Sequence, residues 1–161
     1  MTSQPGTHAL LLACRRTGPA RIGKLGSIQL QEGFYAYVGS AFGPGGLQAR
    51  LRHHFQITTH PHWHIDYLRA VCDVVEVWYT TDAARLENRW AKAMASLPGA
   101  GVPVLGFGSS DCDCAAHLFS FARMPLVRAF RLRVTTQSVH RACQWRLRNF
   151  QLPWPRPGGV F

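Results

Sequence analysis

Lysine and acidic side chains are scarce in this 161-residue chain. It has eight Asp and Glu residues against 18 Lys and Arg residues, and Lys24 and Lys92 are its only lysines. The resulting formal net charge of +10 favours a polyanionic partner, with nucleic acid first. A solvated basic surface is the alternative, although arginine also suits bidentate contacts to phosphate.

The chain also lacks long apolar runs and an evenly spaced cysteine framework. Its longest apolar stretch, Ala9 to Cys14, is far too short to span a bilayer, so no membrane segment is expected. No basic segment followed by an apolar one opens the sequence, so no secretory signal is expected either. Five unevenly spaced cysteines favour a reducing, cytoplasmic location over a disulfide scaffold.

Nearly half of the residues are hydrophobic, which predicts one globular domain over residues 1–161. Apolar patterning predicts strands at 8–14, 27–30, 34–38, 74–80, 118–123 and 127–134, and helices at 46–55, 82–97 and 135–148. Thr81 or Asp82 is the predicted cap of the second helix. The predicted irregular segments are a frayed tail at 1–6, loops at 15–24, 56–62 and 99–116, and an extended or disordered tail at 153–161. Residues 65–70 fit helix or strand. This order predicts an α+β fold, a small mixed β-sheet flanked by helices.

A strand, a glycine-rich turn and a helix follow one another between residues 33 and 54. Tyr35 and Tyr37 alternate along the strand, so both rings project from one face. Gly39 permits a sharp turn, and the loop 41–46 then opens the helix. Arg50 and His54, four residues apart, share one face of that helix. The pattern predicts a corner that handles phosphate.

These residues resemble the GIY-YIG nuclease superfamily. Tyr37-Val38-Gly39 matches the second half of its name motif, and Arg50 matches the arginine of the following helix. The runs at 62–68 and 106–119 are similar to a GIY-YIG-like family of small domains, found alone or fused to endonuclease III-type DNA glycosylases. The match covers roughly residues 7–122, with a strand–helix extension at 127–150 beyond it.

The resemblance implies metal-dependent hydrolysis of a DNA phosphodiester bond, in DNA repair. Tyr37 would orient or deprotonate water or hydrogen-bond to the phosphate, Arg50 would stabilise the charge on the phosphorane, and Glu87 would hold Mg²⁺ or Mn²⁺. The implied catalytic residues are Tyr37, Arg50, Glu87, His8, His54 and Tyr35. The residues expected to contact phosphate or nucleic acid are Gly39, Ser40, Gly45, Gly46, Arg52 and Arg146. The alternative is that the tyrosines are half-buried strand aromatics and that Glu87 is a solvated charge.

His8 stands where the superfamily usually has a tyrosine. Histidine can act as a general base at neutral pH, so it can replace the phenol. It fits slightly better a site that binds nucleic acid without cleaving it. The sequence therefore leaves two functions open, an endonuclease and a catalytically inactive nucleic-acid-binding module of the same fold.

A second cluster is His62, His64 and Asp66. If this segment is extended, the three side chains share one face and could form a metal site or a proton relay. The alternative is a hydrogen-bonded support that ties the segment to the core.

A third cluster combines Asp111, Cys112, Cys114 and His117. The CxCxxH spacing offers only part of a structural zinc site, which normally has four ligands, so zinc is the less favoured interpretation. The alternative is a tight loop with small buried cysteines. Functional association with base-excision-repair glycosylases follows from the resemblance alone.

Overall fold

The computed structural model describes residues 2–109, 114–136 and 148–151. The strands are β1 (Thr7–Cys14), β2 (Gly18–Arg21), β3 (Ser27–Leu30), β4 (Gly33–Ser40), β5 (Asp73–Thr80), β6 (Leu118–Phe121) and β7 (Arg148–Gln151). The α-helices are α1 (Gly46–Phe55), α2 (His64–Arg69), α3 (Glu87–Ala95) and α4 (Val127–Thr136), and a short 3-10 turn covers Gly23–Leu25. The α+β class is confirmed. Every helix in these ranges is too short or too polar to cross a membrane.

Five strands form the main sheet in the order β6-β4-β1-β5-β7, and β2 pairs with β3 in a separate hairpin. All described pairings are antiparallel, so the predicted mixed sheet is wrong in that respect. The chain passes through the β2–β3 hairpin and returns as β4, which pairs antiparallel with β1. In this register His8 lies opposite Gly39 on β4 and opposite Tyr79 on β5.

Strand β1 is the centre of the core, and all eight of its residues are buried. Alternation sends its side chains to two different layers. Leu10 and Leu12 pack on the side of α1 and α2, which we call the α1/α2 face. Ala9 and Leu11 pack on the side of α3 and α4, which we call the α3/α4 face. The sequence of β1 is a nearly continuous apolar run because both faces of the strand are covered.

Helix α4 replaces the strand predicted at 127–134. Phe130 and Val134 are buried four residues apart, whereas Leu132 is 64% exposed. This is the spacing of a helical stripe, and the alternation of apolar and basic residues gave a false strand signal. The helix predicted at 135–148 is also wrong at both ends, because α4 already includes Thr136 and Arg148 begins β7. The residues between, and the tail 153–161, lie outside the described part.

Two further expectations differ from the structure. The loop predicted at 15–24 contains β2, and α3 begins at Glu87 rather than after a cap at Thr81 or Asp82. The Asp82 carboxylate accepts the N–H of Ala84 in a local turn instead. Residues 56–62 are irregular, as predicted, and 65–70 resolve as the helix α2.

Candidate functional site

The candidate site lies where β1 begins and β4 ends. Gly39, which was predicted to form a sharp turn, remains inside β4 and lies directly opposite His8. A Cβ atom at Gly39 would come within 3.0 Å of the His8 ring and within 3.1 Å of the Tyr37 ring. The glycine is therefore needed here for the close approach of two side chains.

Three predicted residues, His8, Tyr37 and His54, form a cluster of rings at this point. Ring centroids are 5.4 Å apart for His8 and His54, 6.0 Å for Tyr37 and His54, and 6.4 Å for His8 and Tyr37. His8 is fully buried and His54 is 1% exposed, whereas Tyr37 is partly exposed. The sheet and α1 thus bring together residues separated by up to 46 positions in the sequence.

Burial keeps both histidines of the cluster neutral. Loss of solvent, reinforced by the nearby Arg50 charge, lowers the pKa of His8 to about 3. Loss of solvent also lowers the pKa of His54 to about 2, helped by His8 and Arg50. Neither ring has a hydrogen-bond partner for its nitrogens among the described residues. Buried polar groups without partners are rare and usually indicate a functional site or a missing ligand or water.

Tyr37 remains a protonated phenol at neutral pH. Burial raises its pKa, and the negative charge of Glu87 raises it further, while Arg50 acts in the opposite direction. The phenol can therefore donate a hydrogen bond but does not supply a phenolate base.

Arg50 is the positive charge of the site. Its guanidinium carbon lies 4.2 Å from the centre of the Trp63 ring, which holds the side chain by a cation–π contact. Its charge influences the pKa values of His8, His54 and Glu87. Arg52, two residues further along α1, is exposed.

Glu87 is the first residue of α3, where the helix dipole favours a carboxylate. Its Oε1 atom lies 3.2 Å from Nδ1 of His117, and the Ser40 hydroxyl donates a second hydrogen bond. Burial alone would raise the pKa of Glu87, but these hydrogen bonds and the Arg50 charge outweigh it and lower the pKa. The carboxylate is therefore ionised, and its side chain is 26% exposed.

Tyr35 is not part of this cluster. Its side chain is buried, and its hydroxyl donates to the Gln31 carbonyl at 3.0 Å and accepts the Gln31 N–H at 2.9 Å. Two residues along a strand separate it from Tyr37 by about 7 Å. The predicted catalytic role of Tyr35 is thus replaced by a hydrogen bond that closes the β3–β4 turn.

The glycine-rich loop and the start of α1 have several of their N–H groups bonded within the protein, including that of Gly46, which donates to the Gly43 carbonyl. Gly45 and Gly46 have positive φ, which turns the chain into α1. The N–H groups of Leu47 and Gln48 donate to the carbonyls of Gln4 and Thr2. The segment predicted as a frayed tail therefore covers this helix terminus and occupies N–H groups that could otherwise face a phosphate. The expected phosphate contact of Gly45 stays a prediction.

The second predicted cluster has a different composition. His64 and Asp66 lie on a helix rather than an extended segment, so the predicted shared face is wrong. The His64 ring packs against Phe107, with centroids 5.5 Å apart. Asp66 instead contacts Nε2 of His53 at 2.9 Å, and its other oxygen accepts the His62 N–H. His62 thus contributes its backbone to the cluster.

The third predicted cluster is only partly described. Asp111 and Cys112 lie outside the described residues. Arg146, predicted separately to contact nucleic acid, lies outside them as well. The Cys114 thiol donates to the Asn88 carbonyl at 3.7 Å, and His117 pairs with Glu87. His117 therefore belongs with the Glu87 carboxylate, an assignment that the CxCxxH spacing alone did not indicate.

Sequence reasoning missed two residues of the site, His53 and Trp63. Trp63 was noted only as part of the run at 62–68, and His53 was not singled out because neighbours on a helix usually point in different directions. An acidic residue at the third position of a helix commonly caps its start. Asp66 holds this position in α2 and was the available sign that a helix begins after Trp63.

The fold and site define a small α+β protein with a buried polar cluster at one end of an antiparallel sheet. A family model described as "Domain of unknown function DUF123" matches residues 7–139, and the chain belongs to that family. No curated protein and no solved structure matches the chain.

Proposed function

We propose that this protein is a metal-dependent endonuclease that hydrolyses DNA phosphodiester bonds and acts in DNA repair. The observation that carries the proposal is the convergence of His8, Tyr37, His54, Arg50 and Glu87 at one end of the sheet. Phosphodiester hydrolysis requires charge stabilisation on the phosphorane, a group that positions water and assistance to the leaving oxygen. The converging side chains offer each of these functions.

Glu87 is the proposed holder of Mg²⁺ or Mn²⁺. It is ionised, partly exposed and oriented by Ser40 and His117, which fits a hard cation that keeps most of its waters. When bound, the cation would supply charge stabilisation at the phosphate oxygens.

Arg50 is the proposed contact to the scissile phosphate. Its fixed charge and its planar fork of donors suit a phosphate whose negative charge grows during the reaction. The contact with Trp63 limits the conformations of this side chain before DNA arrives. Less conformational entropy is then lost when the phosphate binds.

His8 and His54 are the proposed proton acceptors. Both are neutral, the form that can take a proton, although burial, reinforced by the Arg50 charge, makes them weak bases. An anionic phosphate beside Arg50 would offset that charge and raise the pKa of both imidazoles. Tyr37, which remains protonated, would donate a hydrogen bond to the water or to the phosphate.

The net charge of +10 supports a nucleic-acid partner, with DNA the choice that the family resemblance adds. A cytoplasmic location and association with base-excision-repair glycosylases belong to the same proposal. A second candidate is a module that binds nucleic acid without cleaving it. His8 stands where the GIY-YIG superfamily usually has a tyrosine, and its low pKa makes the imidazole a poor base. This favours the second candidate.

A cleavage assay separates the two candidates. Labelled single-stranded, duplex, flapped and abasic DNA would be incubated with Mg²⁺, with Mn²⁺ and with chelator. We expect metal-dependent cleavage by the wild type and its loss in Glu87→Gln. Glu32→Gln is the matched control, because Glu32 is an exposed glutamate at the opposite end of β4. Salt-sensitive binding without cleavage of any substrate would instead support the binding module.

A further inference from the structure

A cluster of two histidines and one aspartate joins the end of α1 to the start of α2. His53, His54 and Asp66 each place one nitrogen or oxygen atom within 4.8 Å of the other two. Within the described residues this is the one such group of three or more metal-ligating side chains. Small shifts would bring these atoms to the spacing that two imidazoles and a carboxylate have around one ion.

The Asp66 carboxylate is already oriented by the backbone. Its Oδ2 atom accepts the N–H groups of His62 and Trp63, both at 2.9 Å. Its Oδ1 atom faces Nε2 of His53 at 2.9 Å. Carboxylates that bind metals commonly have this second set of hydrogen bonds, which fixes the direction of the free oxygen.

His54 provides an independent indication of a ligand. Its side chain is 1% exposed, and neither ring nitrogen has a hydrogen-bond partner in the described part of the chain. The position of α1 is fixed from behind, since the Arg69 side chain donates to the His54 carbonyl at 2.8 Å. A buried imidazole held in place without a partner is destabilising unless something coordinates or hydrogen-bonds it.

Access to the cluster is open on one side. The His53 side chain is 34% exposed, and Trp63 is 36% exposed and packs against His53 at a centroid distance of 4.7 Å. An ion can therefore reach the three side chains from solvent past His53. The cluster is also distinct from Glu87, which contacts Ser40 and His117.

We propose that His53, His54 and Asp66 bind one divalent transition-metal ion of the zinc class. Two imidazoles and one carboxylate suit Zn²⁺ and leave a coordination position for water, whereas Mg²⁺ prefers a shell of oxygens. This zinc site is separate from the proposed Glu87 cation site, and the residue that it shares with the proposed catalytic cluster is His54. Zinc binding at this site does not depend on DNA cleavage.

The test is a metal titration of the chelator-treated full chain. Zn²⁺ binding would be measured by calorimetry, and Co²⁺ binding by its visible absorption. We expect one equivalent per wild-type chain. His53→Ala and Asp66→Asn should each weaken binding more than about a hundredfold, because loss of a mere outer-shell partner already weakens it about 10- to 100-fold.

A control variant and a fallback variant sharpen the test. His60→Ala removes an exposed loop histidine and should bind zinc as the wild type does. If Asp66→Asn does not fold, His53→Ala decides, since His53 is partly exposed. Less than a tenth of an equivalent in the wild type, or unchanged binding in His53→Ala, would overturn the proposal. Zinc binding without DNA cleavage would overturn only the proposed function, and cleavage without zinc binding only this site.

Discussion

The two faces of the main sheet bury side chains of opposite character. On the α3/α4 face, Phe130 lies between Trp78 and Trp90, with both ring centroids 5.1 Å away. On the α1/α2 face, the leucine core ends in the cluster of His8, Tyr37 and His54, whose imidazole nitrogens lack hydrogen-bond partners among the described residues. The same strands therefore support an aromatic core on one side, in which Nε1 of Trp90 also lacks a partner among the described residues, and two buried imidazoles with all four nitrogens unpartnered on the other.

This difference separates stability from function. Apolar burial on the α3/α4 face contributes to the free energy of folding, whereas two buried, unpaired imidazoles subtract from it. Polar groups kept in such a position indicate a role other than folding, as expected of an active site that carries some strain.

Phe130→Ala should have the largest effect on stability. Removing a fully buried aromatic ring between two tryptophans should lower the free energy of unfolding by about 3–5 kcal/mol, measured by urea denaturation. Leu132→Ala on the same helix is the control, because Leu132 is largely exposed and the change should stay within about 0.5 kcal/mol. Equal losses in the two variants would contradict the assigned packing of α4.

Acid should destabilise the protein through the α1/α2 face. The folded-state pKa values of His8 and His54 lie near 3 and 2, well below the unfolded value of about 6.5. Between pH 7 and pH 5 these two side chains therefore take up protons only in the unfolded state, which lowers the stability of the folded state. The free energy of unfolding should fall by about 2 kcal/mol per histidine over this range. The lowered pKa values of Asp66 and Glu87 act only below their unfolded values of about 4.

The double variant His8→Leu/His54→Leu checks this assignment. Its free energy of unfolding, measured by urea denaturation at each pH, should fall much less between pH 7 and pH 5 than that of the wild type, and His64, whose pKa is also lowered by burial, accounts for part of what remains. A slope equal to that of the wild type would show that other groups cause the acid sensitivity.

His8→Leu should stabilise the fold while abolishing cleavage. Leucine fills a similar volume and removes a polar group that has no partner in the described structure, so the free energy of unfolding at pH 7 should rise by about 1–2 kcal/mol. His60→Leu, in an exposed loop, should leave both stability and cleavage unchanged. A destabilised His8→Leu protein would mean that the imidazole has a stabilising partner after all.

Trp63→Ala should have the smallest effect. The cation–π contact holds Arg50 in place, and such contacts contribute about 0.5–2 kcal/mol, so cleavage should slow by about 2- to 30-fold. Trp63→Phe keeps an aromatic face and should lose less. Single-turnover rates would measure both variants, and identical rates in wild type and Trp63→Ala would remove Trp63 from the site.

Much of the sheet was predictable because its strands are strongly patterned. The eight buried residues of β1 and the Tyr35–Tyr37 alternation gave the strands at 8–14 and 34–38, and the apolar spacing gave α1 at its observed bounds. Helix α4 was missed because its arginines alternate with apolar residues, and only tertiary packing on Trp78 and Trp90 shows that Leu132 faces away from the core.

The candidate site was predictable only where a family motif reached it. Tyr37, Arg50 and Glu87 were identified by resemblance and His54 by its helical spacing from Arg50, and the fold brings them together. The pairing of His117 with Glu87 and of His53 with Asp66 depends on contacts across 30 and 13 residues, respectively, for which no local pattern exists. The covering of the α1 terminus by the chain start is likewise a tertiary contact that propensities do not report.

The most direct test of the account is a double-mutant cycle of DNA cleavage on Arg50 and Glu87. Rates would be measured for the wild type, Arg50→Ala, Glu87→Gln and the double variant on one substrate with Mg²⁺ or Mn²⁺. If both residues serve one site, each single variant should abolish metal-dependent cleavage, and the double variant should lose no more than the worse single. Wild-type protein that cuts no substrate, or single variants that cleave as the wild type does, would contradict the account.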